Sequence, residues 1–164
     1  MTVVVGYVPT ETGFSAVAEA ERQARCRDVP VVVVNVVGAA GYRVPTAADQ
    51  PDLDAVTAHL TANGVRNSLR QINDDAPPAD IILGVAREVD ASLIVLGLHQ
   101  RSRIVKRVIG STAQSVVLAA PCAVLIVPDV DEPSRERLAA AVEAPPLPSM
   151  GQAPKKPGGG ALRF

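Results

Sequence analysis

Along this chain, short apolar runs rich in β-branched residues alternate with stretches whose apolar positions recur at helical spacing. The runs fall at 2–8, 31–37, 68–72, 93–96 and 123–127. Four of them are nearly continuous in Val, Ile and Leu, the pattern of strands covered on both faces and hence of a parallel sheet. The run "SLRQI" at 68–72 is broken by Arg70 and Gln71, which predicts an edge strand. Phe14, Val17, Ala18 and Ala24 mark a first helix, and Leu53, Val56 and Leu60 a second that stops at Asn63-Gly64. Ile82, Val85, Ala86 and Val89 mark a third, entered through Pro77-Pro78. Ala113, Val116, Val117 and Ala120 mark a fourth, which starts at "GST" (110–112) and is stopped by Pro121. Strand and helix alternate strictly. With right-handed crossovers this order predicts an α/β fold, a doubly wound parallel sheet of five strands with helices on both faces.

The pattern changes after Pro128. Residues 128–164 hold seven of the 14 prolines and end in "PPLPSMGQAPKKPGGGALRF". The domain is therefore expected over 1–128, one short helix over 129–144, and a disordered Pro/Gly-rich tail over 145–164, where little apolar surface can be buried. A chain of 164 residues, 48% hydrophobic and 20% charged, fits one soluble domain. The opening "MTVVVGYVPTE" lacks the basic start of a signal peptide, and no apolar run approaches the roughly 18 residues that span a bilayer, so a cytoplasmic protein without membrane insertion is expected. Cys26 and Cys122 are too few for a disulfide scaffold and read as reduced thiols, with Cys122 in the core. A net charge of -1 and only four aromatic residues argue against a nucleic-acid partner.

One stretch departs from the even balance of charge. "GLHQRSRIVKRVIGST" (97–112) carries Arg101, Arg103, Lys106 and Arg107 with no acid, in a chain with 16 Lys and Arg against 17 Asp and Glu. It runs from the fourth strand into the fourth helix, and ligands of open α/β sheets bind beyond the carboxyl ends of strands where the strand order reverses. Free N–H groups and hydroxyls at a helix start, with basic side chains nearby, suit a phosphate. The plain alternative is an ordinary helix cap beside a solvated basic loop. Catalytic and metal signatures are missing: there is no Walker phosphate loop, no dinucleotide glycine fingerprint and no nucleophile elbow. His59 and His99 have no neighbouring ligand set in sequence, "GAAG" (38–41) reads as a turn, and Glu19 and Glu21 do not face each other on a helix. No enzyme and no metal site are expected.

Residues 93–128, "LIVLGLHQRSRIVKRVIGSTAQSVVLAAPCAVLIVP", resemble the C-terminal half of a universal stress protein domain. That family has an adenine-nucleotide alpha-hydrolase-like fold with strand order 3-2-1-4-5. Its nucleotide-binding members carry a glycine, two residues, a second glycine, nine residues and a closing Gly-Ser or Gly-Thr. Gly97 matches the first glycine, and Gly110 and Ser111 the closing pair, but Gln100 stands in place of the second. Val8 stands where the family ends its first strand in an aspartate that contacts the nucleoside, with Thr10 and Glu11 as the nearest substitutes. The resemblance implies a stress-response module that binds ATP, ADP or AMP. Its contacts would come from Val8, Pro9, Thr10, Val37, Gly97, Gln100, Arg101, Arg103, Lys106, Gly110, Ser111 and Thr112. It also implies a homodimer through 123–127 and action through conformation or a regulatory protein partner. The two departures leave open a nucleotide-independent adaptor that uses the basic loop and the Pro-rich tail, and a weak hydrolysis or autophosphorylation on Ser111 or Thr112 that lacks any evident general base.

Overall fold

The computed structural model describes residues 1–38, 48–98 and 110–128. Its elements alternate as expected: β1 (Thr2–Gly6), α1 (Glu11–Arg27), β2 (Val31–Gly38), α2 (Gln50–Ala62), β3 (Asn67–Asp74), α3 (Pro78–Glu88), β4 (Ala91–Leu98), α4 (Ser111–Ala119) and β5 (Ala123–Pro128). The strands form one sheet of order β3-β2-β1-β4-β5, and every pair is parallel. β3 is the edge that Arg70 and Gln71 announce; the other edge is β5.

Strand alternation divides the core in two. Val3 and Val5 of β1, Val31 and Val33 of β2 and Leu93 and Val95 of β4 face α1 and α2, where Val17, Leu53, Val56 and Leu60 meet them. Val4, Val32, Val34, Ile94 and Leu96 face the opposite way, toward Ile82, Val85 and Ala86 of α3 and Ala113 and Val116 of α4. Because β1 is covered on both sides, Val3, Val4 and Val5 retain no exposed surface. Each such side chain contributes roughly 1.5–3 kcal/mol by leaving water.

Local chemistry sets the helix ends. Thr10 caps α1 by accepting from the Gly13 N–H (3.2 Å), and Asp28 closes it in the left-handed region at φ 52°, with Val29 N–H donating to Ala24 O. Asp49 caps α2 by accepting from Asp52 N–H (3.0 Å); after Asn63, Gly64 turns the chain out at φ 73°. Pro78 opens α3 at its first position, where a missing N–H costs nothing.

Several boundaries and faces differ from the sequence reading. β1 ends at Gly6, two residues early, where Pro9 has no N–H for the ladder and Val8 O is taken by the Thr10 N–H. β3 and β4 each extend beyond 68–72 and 93–96, since their neighbours continue the ladder whatever the side chains. On α1 the buried stripe is Gly13, Ala16, Val17, Ala20 and Ala24, and Phe14 and Ala18 lie off it. Small residues bring this helix close to the sheet, and Phe14, 44% exposed, instead sets its ring against Tyr7 (centroids 5.4 Å, 70°). On α4, Val117 is 48% exposed, because only Ala113 and Val116 reach the sheet.

Candidate functional site

The chain leaves β1 for a helix on one face of the sheet and leaves β4 for a helix on the other, although the two strands are hydrogen-bonded neighbours with Gly6 opposite Leu96. In doubly wound folds such divergence of neighbouring strands places a crevice at their C-terminal ends, here those of β1 and β4. This is the topological switch point at which doubly wound folds receive ligands.

The β1 side of the crevice is tightly built. Tyr7 N–H donates to Val34 O (2.8 Å), which carries the pairing one residue past the strand. Val8 O then accepts from Thr10 N–H (2.7 Å), and a β-carbon on Gly13 would stand 1.9 Å from that same oxygen. Only glycine allows the first turn of α1 to rest on the Val8 carbonyl. Val8, Pro9 and Thr10 are each half-buried there, and the Thr10 hydroxyl is engaged as the α1 cap.

Gly97 and Gly110 play unlike parts. A β-carbon on Gly97 would meet Thr12 Cγ2 at 2.7 Å and Thr12 O at 2.8 Å, so this glycine lets the N-terminus of α1 pack directly on β4. Gly110, at φ -60° and ψ 152°, has a backbone any residue can adopt and nothing within 4 Å of an added β-carbon. Among the described residues no contact demands a glycine there. It also has no side chain to cap α4, so the first-turn N–H groups at Ser111 and Thr112, with Ser111 exposed and Thr112 half-buried, stand at the positive end of the helix. Val37 is half-buried near the end of β2, opposite Asn73. Gln100, Arg101, Arg103, Lys106, Arg107 and His99 lie outside the described residues, as do 129–164.

Sequence reasoning passed over a polar cluster beside this crevice. Asn35, the single polar residue in the valine run of β2, is fully buried; its Nδ2 donates to Tyr7 O (3.0 Å) and its Oδ1 accepts from Ala48 N–H (3.3 Å) and Gln71 Nε2 (3.1 Å). The interruption of "VVVVNVV" is the signal that marks it. Next to it Tyr7 is 1% exposed, and its hydroxyl has no hydrogen-bond partner among the described residues. Burial, then the nearby carboxylates of Asp52 and Asp49, push the phenol up to about 12.

Other candidate chemistry lies elsewhere. His59, half-exposed in the last turn of α2, sits 2.7 Å from the largely buried Glu21 side chain of α1, a link between helices at the end of the sheet away from the crevice. Glu19 is held below the usual carboxylate range chiefly by its hydrogen bond from Arg22. Cys26 is exposed, and Cys122 is half-buried against the α3 and α4 side of the core, where burial raises its thiol pKa. Among the described residues no three His, Cys, Asp or Glu side chains group as metal ligands, and no helix is long and apolar enough to cross a membrane.

A sequence model of the universal stress protein family matches residues 1–128. A universal stress protein of Mycolicibacterium smegmatis is 32% identical over 126 residues, which cover 76% of this chain and 95% of that protein. Among solved structures, a universal stress protein from Archaeoglobus fulgidus aligns with a TM-score of 0.67 at 28% identity, over 77% of this chain and 98% of that one. The structure of the universal stress protein from Archaeoglobus fulgidus in complex with dAMP aligns at a TM-score of 0.61 and 26% identity, over 77% and 97% of the two chains.

Proposed function

This chain belongs to the universal stress protein family, and from that premise we propose that it is a regulatory module whose β1/β4 crevice binds an adenine nucleotide. The phosphates rest on the first turn of α4, held by the N–H groups of Ser111 and Thr112 and their hydroxyls, with Gly110 leaving room for close approach. Arg101, Arg103 and Lys106 supply positive charge, and Gln100 adds a side chain where binding relatives have a glycine. Val8, Pro9, Thr10 and Val37 border the nucleoside. Gly97 shapes the crevice by seating α1 against β4.

The observation that carries this reading is the start of α4: its N-cap, Gly110, has no side chain to bond the first-turn N–H groups, and no described residue comes within 4 Å of a β-carbon there, whereas Gly13 and Gly97 are each required by a neighbour within 3 Å. A relative's dAMP complex supports the ligand class. With Val8 in place of the family's aspartate, the nucleoside has one fewer acceptor, so the phosphate end contributes most of the affinity. The module acts by conformation and contact rather than by catalysis.

Calorimetric titration with ATP, ADP, AMP and cyclic AMP tests the proposal, together with a search for nucleotide released on denaturation. Absence of both would favour the adaptor reading. The same module pairs with a second copy along β5, a reading supported by the half-buried Val124, Leu125, Ile126 and Val127 at the sheet edge and by Leu118, 80% exposed, on the adjoining α4. Sedimentation equilibrium distinguishes dimer from monomer.

A further inference from the structure

Six of the seven residues from 31 to 37 are valine. The seventh, Asn35, puts a primary amide in a fully buried position, which is unfavourable unless the amide is bonded. Among the described residues its bonds reach three separate segments. The register sets Asn35 opposite Gln71, so the two side chains meet on one face of the sheet. Gln71 Nε2 donates both to Asn35 Oδ1 (3.1 Å) and to Ala48 O (3.0 Å), while Ala48 N–H donates to Asn35 Oδ1 (3.3 Å). Asn35 Nδ2 in turn holds Tyr7 O (3.0 Å), whose own N–H is bonded to Val34 O.

Tyr7 is thereby tied to β2 through both backbone groups, and the residue after it is Val8. Val37 follows Asn35 by two positions, on the same side of β2. We infer that Asn35 and Gln71 are positioning residues for the nucleoside side of the crevice: they hold Val8, Pro9 and Thr10 at a fixed distance from Val37 without touching the ligand. This role rests on the nucleotide reading above. A valine at position 35 would pack equally well in β2, but it would leave the Tyr7 carbonyl and the Ala48 N–H without this partner, and the β1 turn free to shift relative to β2.

Gln71 is the better handle, because it lies exposed on the edge strand and its replacement spares the core. Gln71→Ala removes the side chain, and Gln71→Glu keeps its shape while losing both N–H donors. AMP and inorganic pyrophosphate are titrated calorimetrically into the full chain and both variants, with thermal midpoints measured alongside. The expected result is a Kd for AMP raised roughly tenfold in both variants, with the pyrophosphate Kd and the midpoint nearly unchanged, as when about one hydrogen bond of preorganisation is lost at one end of a ligand. AMP binding equal to wild type in both variants overturns the inference. So does a matched weakening of AMP and pyrophosphate, which marks general loosening of the fold. A wild-type chain that binds no AMP removes the nucleotide reading itself, and the positioning role with it.

Discussion

Replacing Gly110 by aspartate should stabilise the fold and weaken nucleotide binding, two effects of opposite sign from one carboxylate. Position 110 has extended backbone at φ -60° and ψ 152°, no described residue within 4 Å of an added β-carbon, and no side-chain cap on α4. An aspartate there accepts from the first-turn N–H groups and places a negative charge at the positive end of the helix. Together these contribute about 0.5–1 kcal/mol and raise the thermal midpoint by roughly 2–5 °C. The same N–H groups are the ones a phosphate would use. At a separation of about 5 Å and an effective dielectric constant of about 20, one carboxylate repels one phosphate charge by about 3 kcal/mol. Salt and water reduce this, leaving a Kd for AMP raised roughly ten- to hundredfold. Gly110→Ser separates the contributions, since it caps without charge and should keep only the capping part of the stability gain, a few tenths of a kcal/mol, at a smaller loss of affinity. Thermal denaturation and calorimetry on the three proteins provide the measurement. An aspartate variant with a higher midpoint and undiminished AMP affinity would refute the placement of phosphate at α4, and a lower midpoint would refute the capping argument.

Three further outcomes follow from single contacts. Gly97→Ala forces a β-carbon against Thr12 and should destabilise the fold by about 1–3 kcal/mol in urea denaturation, whereas unchanged stability would mean that α1 can withdraw from β4 without cost. Gly84 lies exposed within α3 with nothing within 4 Å of an added β-carbon, so Gly84→Ala should stabilise by about 0.5–1 kcal/mol, and a loss would contradict the open surface there. The Tyr7 phenol ionises near 10 in the unfolded chain and near 12 in the folded one, so unfolded molecules lose their proton first and stability falls as pH rises from 10 toward 12. Tyr7→Phe should flatten that fall while holding neutral-pH stability within about 1 kcal/mol, because the hydroxyl has no bonded partner among the described residues; urea midpoints at pH 8 and 11 that decline in parallel would count against it.

Much of the architecture follows from the sequence by itself, because burial on both faces of a parallel strand leaves a run of valines, and Asn63-Gly64, Pro78 and Pro121 punctuate helices through their own backbone chemistry. The spacing from Gly97 to Gly110-Ser111 was legible for the same reason: it is local. Tertiary structure alone decided which glycines the fold needs. Gly97 is answerable to Thr12, eighty-five residues earlier, while at Gly110 no described residue comes within 4 Å of an added β-carbon. It also decided that Phe14 leaves the buried face of α1 for Tyr7, since a helical period shows which residues share a side but not how closely the sheet approaches. Asn35 stood out in its valine run, yet its partners Tyr7, Ala48 and Gln71 come from segments brought together by strand register, which no short stretch of chain encodes.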